Sequence, residues 1–201
     1  NKIGNQKVCI NNCTYLSFLM VKESTSSQEM NPIAFVDTEI DPRSHKILDI
    51  GCIRNDGGTF HKASVNELIS FLRGTEYLCG HNVLRHDIKY IGEALNLAGI
   101  AYSNIIDTLF LSPLLFPSKP YHALLKDDKL QSDDTNNPLN DSIKAKDLFY
   151  DEVGTFRQLD PDLKQIYYLL LHNQAEFRAF FRFIAFNNQE SDPETLIRHK
   201  F

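Results

Sequence analysis

The chain has 201 residues, of which 42% are hydrophobic, so it can bury one sizeable core and fits a single domain with extensions. A net charge of −5 argues against a protein that coats nucleic acid by phosphate neutralisation alone, although an enzyme that grips a few nucleotides at a metal centre is compatible with it. No apolar stretch approaches the roughly 18 residues of a membrane-spanning helix and no signal-peptide pattern is present, so we expect a cytoplasmic protein without a membrane partner.

Cysteine spacing gives no sign of a disulfide framework or a zinc site. The four cysteines lie at positions 9, 13, 52 and 79. Only the first two are close, and no second Cys/His pair follows at zinc-like spacing, so a structural zinc is disfavoured.

Residues 1–31 are polar and Ser/Thr-rich near their end, and we interpret them as an N-terminal extension. Between positions 32 and 62 the chain alternates β-type runs with turn signals, and NDGG is a strong hairpin signal because Asp-Gly and Gly-Gly tolerate positive φ. The pattern predicts an antiparallel meander of three strands: PIAFVDTEI, KILDIGCIR and TFHKA.

The hydrophobic period changes from two to that of a helix after position 63. Ser64 and Glu67 form a capping box that opens a helix of about nine residues, and Gly74 ends it. A buried strand (EYLCG), a helix over 84–99, a strand (SNIID) and a short helix (TLFLSPLLF) follow.

Two Asx-Pro pairs mark helix starts in the C-terminal third, at Asn137-Pro138 and Asp160-Pro161. Apolar residues keep helical spacing from Leu163 to Ile184, which predicts one long helix. Residues 187–201 are expected to be a linker or the start of a following region. Alternating strands and helices after a meander predict an α/β fold with a mixed sheet, spanning 32–186.

The first candidate site is FVDTEI. On a strand, Asp37 and Glu39 share one face, and two adjacent carboxylates repel each other unless a cation neutralises them. The alternative is a solvated strand face, which is common.

Two further acidic residues fall near predicted helix starts. Asp87 lies in the first turns of the helix after the segment GHN, and Asp141 lies in the first turn behind Pro138. Each, taken alone, is explained by the preference of anions for helix N-termini.

The order of these elements resembles the DEDD superfamily of 3′→5′ exonucleases (DnaQ-like), on a ribonuclease-H-like fold. The family's four acidic residues correspond to Asp37, Glu39, Asp87 and Asp141, and the GHN loop and the strand end IIDT also match over about residues 32–186. A structural protein with fortuitous acidic residues would have to reproduce three element contexts at once.

The resemblance implies a phosphodiesterase with two Mg²⁺ or Mn²⁺ ions. Asp37 would bridge the ions, Glu39 and Asp141 would be further ligands, and Asp87 an outer ligand. The substrate would be the 3′ end of single-stranded DNA or RNA, and the segments that would bind it hold Thr38, Ile40, Asn82 and His122.

One position departs from the family. One branch places a catalytic histidine five residues before the last Asp and another places a tyrosine four residues before it, where this chain has Asn136 and Asn137. An amide cannot accept the proton of a metal-bound water, and that role is worth about 10²–10⁴-fold. His122 and His86 are the nearest substitutes in sequence, although each is also explained as an ordinary loop histidine.

The segments YHALLKDDKL, NNPLNDSIKAKDLFYDE and LLLHNQAEFRAFF resemble the exonuclease-like domain fused to RecQ-type helicases, which implies a helicase region as a partner. Two functions stay open: a weak or specialised exonuclease, which the four carboxylates favour, and a catalytically impaired nucleic-acid-binding or scaffolding domain, which Asn136 favours.

Overall fold

The computed structural model describes residues 31–124, 137–187 and 192–200. These residues form an α/β domain in which helices cover both faces of a mixed sheet. The described strands are β1 (Ile33–Ile40), β2 (Ile47–Arg54), β3 (Thr59–His61), β4 (Tyr77–Gly80) and β5 (Ile105–Asp107). The described helices are α1 (Val65–Leu72), α2 (Ile88–Ala98), α3 (Thr108–Leu115), α4 (Pro138–Gln158), α5 (Pro161–Leu171), α6 (Ala175–Phe183) and α7 (Pro193–Lys200).

The sheet has the strand order β3-β2-β1-β4-β5. The first three strands pair antiparallel, whereas β1 with β4 and β4 with β5 pair parallel, which confirms the predicted mixed sheet and its meander. Only residues 33–35 of β1 pair with β4. Residues 37–39 therefore lie past the paired part of β4, at the carboxyl end of β1.

Successive side chains of β1 point alternately into two hydrophobic cores, one on each face of the sheet. Ala34 and Val36 face the layer of α1 and α2, where they pack among Leu68, Ile91 and Leu95. Ile33 and Phe35 face the layer of α3, α4 and α6, where they pack among Leu111, Phe149 and Phe180. Continuing the alternation places Asp37 and Glu39 on the α4 side of the sheet.

Several predicted helix starts are confirmed. Ser64 caps α1 by accepting the backbone N–H of Glu67 at 3.3 Å. Asn137 caps α4 by accepting the N–H of Leu139 at 3.0 Å, with Pro138 in the first turn. Asp160 likewise caps α5. These local signals succeed because a cap needs only residues within one turn of one another.

Two predicted helices have different limits in the structure. The helix expected over 84–99 begins at Ile88, since the preceding residues form a turn that side-chain acceptors elsewhere in the fold hold in place. The long helix expected from Leu163 to Ile184 is divided into α5 and α6. The break directs Phe180 and Phe181 onto Phe156 of α4, with ring centroids 5.4 and 5.7 Å apart.

Part of the expected linker is helical. Residues Pro193–Lys200 form α7, and the Lys200 ammonium pairs with the Asp160 carboxylate at 2.7 Å.

Candidate functional site

Asp37 and Glu39 project from β1 toward α4. Both side chains are half-buried, and the backbone register shifts between Glu39 and Ile40. Asp37 is directly opposite Gly51 of β2, and opposite residues of an antiparallel pair share a face of the sheet. The environment of Gly51 is therefore also the environment of Asp37.

The first turn of α4 rests on Gly51. A Cβ atom at this position would overlap the backbone nitrogen of Leu139 and the carbonyl carbon of Pro138. Asp141 belongs to the same turn, and its N–H donates to the Asn137 carbonyl at 3.1 Å. Contact of α4 with Gly51 therefore brings Asp141 to the part of the sheet that holds Asp37, across 104 positions of sequence.

Asp87 is joined to β1 by two hydrogen bonds. Its side chain is 1% exposed, and Oδ1 accepts the backbone N–H of Thr38 at 2.9 Å and the Thr38 hydroxyl at 2.6 Å. Thr38 stands between Asp37 and Glu39, so Asp87 reaches the same three-residue segment from the α2 side.

Burial raises the pKa of Asp87 to about 6, while the hydrogen bonds from Thr38 oppose that rise. The main cause is desolvation, because Asp87, the last residue of the turn that precedes α2, is almost completely buried.

That turn is anchored by a second buried aspartate. Asp107, at the end of β5, is fully buried and accepts the backbone N–H groups of Asn82 at 2.8 Å, Leu84 at 3.0 Å and Leu109 at 2.9 Å. Asn82 has φ of 67°, a left-handed conformation that few residues other than glycine adopt. Asp107 therefore fixes the turn that presents Asp87 to β1.

Two histidines lie close to each other near the carboxyl end of β4, where His81 directly follows the strand. His81 Nδ1 is 2.8 Å from the Thr108 hydroxyl, and burial lowers the pKa of His81 to about 4, so its imidazole is neutral at physiological pH. His122 Nδ1 is 2.9 Å from the Ser112 hydroxyl of α3. The other candidate base, His86, is exposed, and its ring lies 5.8 Å from that of Tyr90.

Lys144 adds a positive charge to the site that was not predicted. Its ammonium is 3.4 Å from Asp141 Oδ1, and the two side chains are 28% and 23% exposed. The spacing of three residues on one helix is a recognisable signal for such a pair, so the sequence contained the information. Gly51 was also missed, although a glycine inside an apolar strand is typical of a close backbone approach.

The contacts thus bring the segment from Asp37 to Glu39 together with Asp87 and the first turn of α4, which holds Asp141. Among the described residues no group of three or more His, Cys, Asp or Glu side chains is placed to hold a metal ion. Asn136 lies outside the described residues. The roles in substrate binding expected at Thr38, Ile40, Asn82 and His122 stay predictions.

No family model, curated protein or solved structure matches the chain. In the part of the chain that the structure describes, no helix is long and apolar enough to cross a membrane. The carboxylates and their neighbours are therefore the basis for assigning a function.

Proposed function

We propose that the chain is a metal-dependent 3′→5′ exonuclease of the DEDD type, acting on single-stranded DNA ends from a ribonuclease-H-like fold. The observation that supports it is the meeting of Asp37 and Glu39 with Asp87 and the α4 turn of Asp141 at one end of β1. The arrangement of the sheet, an antiparallel meander followed by parallel strands, is also the one that this fold implies.

The donor set suits a hard divalent cation. Asp37, Glu39 and Asp141 supply carboxylate oxygens, which Mg²⁺ and Mn²⁺ prefer, and Asp87 would act as an outer ligand. When bound, the two ions would activate water and stabilise the charge that develops on the scissile phosphate. The side chains as placed would have to draw closer to complete such a site.

The protein's own contribution is the positioning of these carboxylates. The two hydrogen bonds from Thr38 fix the orientation of the Asp87 carboxylate, and the N–H groups of Asn82 and Leu84, which donate to Asp107, fix the turn that carries Asp87. The 3′ end of the strand would enter between the segment after Glu39 and the turn at Asn82, both of which border the carboxylates.

A second function, nucleic-acid binding without efficient cleavage, is favoured by Lys144. Its ammonium already supplies Asp141 with part of the positive charge that a metal ion would supply. A site neutralised in this way binds a cation less tightly while the fold and its surface are retained.

The test is digestion of a single-stranded oligonucleotide labelled at its 5′ end, in Mn²⁺ and in Mg²⁺. We expect a ladder of products that shorten from the 3′ end, and we expect Asp37→Asn to slow it by about a hundredfold or more and to weaken Mn²⁺ binding. Asp56→Asn is the matched control, because Asp56 is an exposed hairpin residue paired with Arg54.

Equal digestion by wild type and Asp37→Asn, after contaminating nucleases are removed, would contradict the exonuclease proposal. Metal-independent binding of the oligonucleotide without a ladder would instead support the second function.

A further inference from the structure

A cavity of about 450 Å³ lies at the opposite end of β4 from the carboxylates. Tyr77, the first residue of β4, forms part of its wall, and α5, α6 and the segment after α6 form the rest. Tyr77 pairs with Ile33, four residues before Asp37. At about 3.3 Å per residue, the cavity wall is about 13 Å from Asp37 along the strand.

One wall of the cavity is a stacked pair of rings. Tyr168 and His172 are nearly parallel, with centroids 4.4 Å apart and an interplanar angle of 9°. The Tyr168 ring is braced by Phe181 at 5.3 Å and Phe186 at 5.6 Å. The pair is therefore a rigid aromatic surface with little conformational freedom to lose on binding.

The cavity is also lined by two arginines and by the neutral side chains of Asn173 and Asn187. Arg178 and Arg182 are exposed and lie one turn apart on α6. The Arg178 guanidinium donates to the carbonyl of Asn173 at 2.8 Å, which holds it beside the rings. Among the described residues no Asp or Glu lines this cavity, although the chain as a whole is acidic.

We propose that this cavity binds a nucleotide unit of single-stranded nucleic acid, with a base against the Tyr168–His172 pair and a phosphate between Arg178 and Arg182. The volume lies within the range of small-ligand sites. Aromatic stacking combined with arginine contacts to the backbone is how proteins hold single strands without reading sequence. The proposal deepens the proposed exonuclease function, on which it rests for the identity of the strand.

The test measures binding of a fluorescent dT10 oligonucleotide in EDTA, where no cleavage occurs. We expect the double variant Arg178→Ala, Arg182→Ala to bind about tenfold more weakly and with a shallower dependence on salt. His172→Ala is expected to weaken binding several-fold with the salt dependence unchanged. Arg73→Ala is the matched control, since Arg73 is an exposed arginine after α1, on the other side of the sheet.

Wild-type affinity in the folded double variant, or no binding of dT10 by the wild type, would overturn the proposal. Competition by free dTMP as strong as by dT10 would overturn it in favour of a mononucleotide ligand. Equal competition by a poly-glutamate peptide would overturn it in favour of an acidic protein partner. A failure of the exonuclease proposal would give a different result. The wild type would then not cleave the strand, but the double variant would still bind dT10 more weakly than the wild type.

Discussion

Lys144 places a fixed positive charge in a site where the proposed function requires an exchangeable one. Its ammonium lies 3.4 Å from the Asp141 carboxylate, and both groups are mostly screened from water. A partly buried pair of this kind interacts more strongly than a surface pair. A cation entering the site must displace or tolerate this ammonium.

We therefore expect Lys144→Met to bind Mn²⁺ several-fold more tightly than the wild type, because the competing charge is removed while the apolar part of the side chain is kept. Calorimetric titration with Mn²⁺ measures this directly. Lys146→Met serves as the control, since residues two apart on a helix point in different directions. Equal Mn²⁺ affinity in Lys144→Met and the wild type would show that Lys144 does not compete with the metal.

A second prediction concerns Asn136, which lies outside the described residues and directly before the cap of α4. If the site lacks only its base, Asn136→His supplies a group whose ordinary pKa of about 6.5 suits proton abstraction. We expect a faster rate in Mg²⁺, with a limb that rises between about pH 6 and 8. If the variant has the same rate and the same pH profile as the wild type while Asp37 is still essential, this expectation is contradicted.

At the scale of single residues, the sequence predicted which acidic residues lie at one end of β1 better than how they are held there. Asp37 and Glu39 follow from alternation along one strand, which is a local property. The contact between Thr38 and Asp87 joins residues 49 positions apart, and nothing in the sequence of either segment predicts it. Such contacts depend on how β1 and α2 are placed in the finished fold.

At the scale of elements, the contact between α4 and β2 positions the site. It depends on Gly51, where any side chain would overlap the α4 backbone. We expect Gly51→Ala to lower the free energy of unfolding by about 1–3 kcal/mol and to reduce cleavage, because the first turn of α4 must move away from Asp37. Chemical denaturation and the oligonucleotide assay measure the two effects.

Gly154→Ala is the matched control, since Gly154 lies within the same helix and a Cβ there meets no atom within 4 Å. Alanine is favoured over glycine inside a helix, so this variant is expected to be as stable as the wild type or more stable. A Gly51→Ala variant as stable and active as Gly154→Ala would show that the close approach at Gly51 is unimportant.

Element types were predicted well and element limits less well. The start of α4 was predicted because Asn137 and Pro138 form a local signal. The break between α5 and α6 was not, because apolar spacing continues across His172 and Asn173 without a glycine or proline. After the break, α6 packs its Phe180 and Phe181 rings on Phe156 of α4, a long-range contact that periodicity alone cannot reveal.

At the scale of the whole molecule, Glu152 of α4 is an unusual buried group. It is completely buried, and neither carboxylate oxygen has a hydrogen-bond partner within the described structure. Burial raises the pKa of Glu152 from 4.5 to about 9. The folded protein therefore keeps this group neutral over most of the physiological range.

Because the folded pKa of Glu152 is higher than the unfolded one, its contribution to stability is greatest below about pH 4.5 and is lost as pH rises toward about 9. Glu152→Gln retains the neutral form at every pH. We expect its stability advantage over the wild type to be about 4 kcal/mol larger at pH 8 than at pH 5. Denaturation of both proteins at the two pH values measures the difference.

Glu93→Gln is the control for this experiment, because Glu93 is an exposed residue of α2. The same stability difference at pH 5 and pH 8 between Glu152→Gln and the wild type would mean that Glu152 is already ionised in the folded protein.

The length of α4 is expected to affect the length of the products that digestion leaves. Asp141 is near one end of this helix, while the Phe156 ring near the other contacts Phe186 of the cavity at 5.3 Å. At 1.5 Å per residue the two are about 22 Å apart along a rigid rod. Under the proposed function, a strand bound at both places would have to span this gap, and the length of α4 would set the shortest strand that can be bound at both. Digestion should slow once the remaining strand is too short to reach from one end of α4 to the other, leaving a short oligonucleotide of defined length.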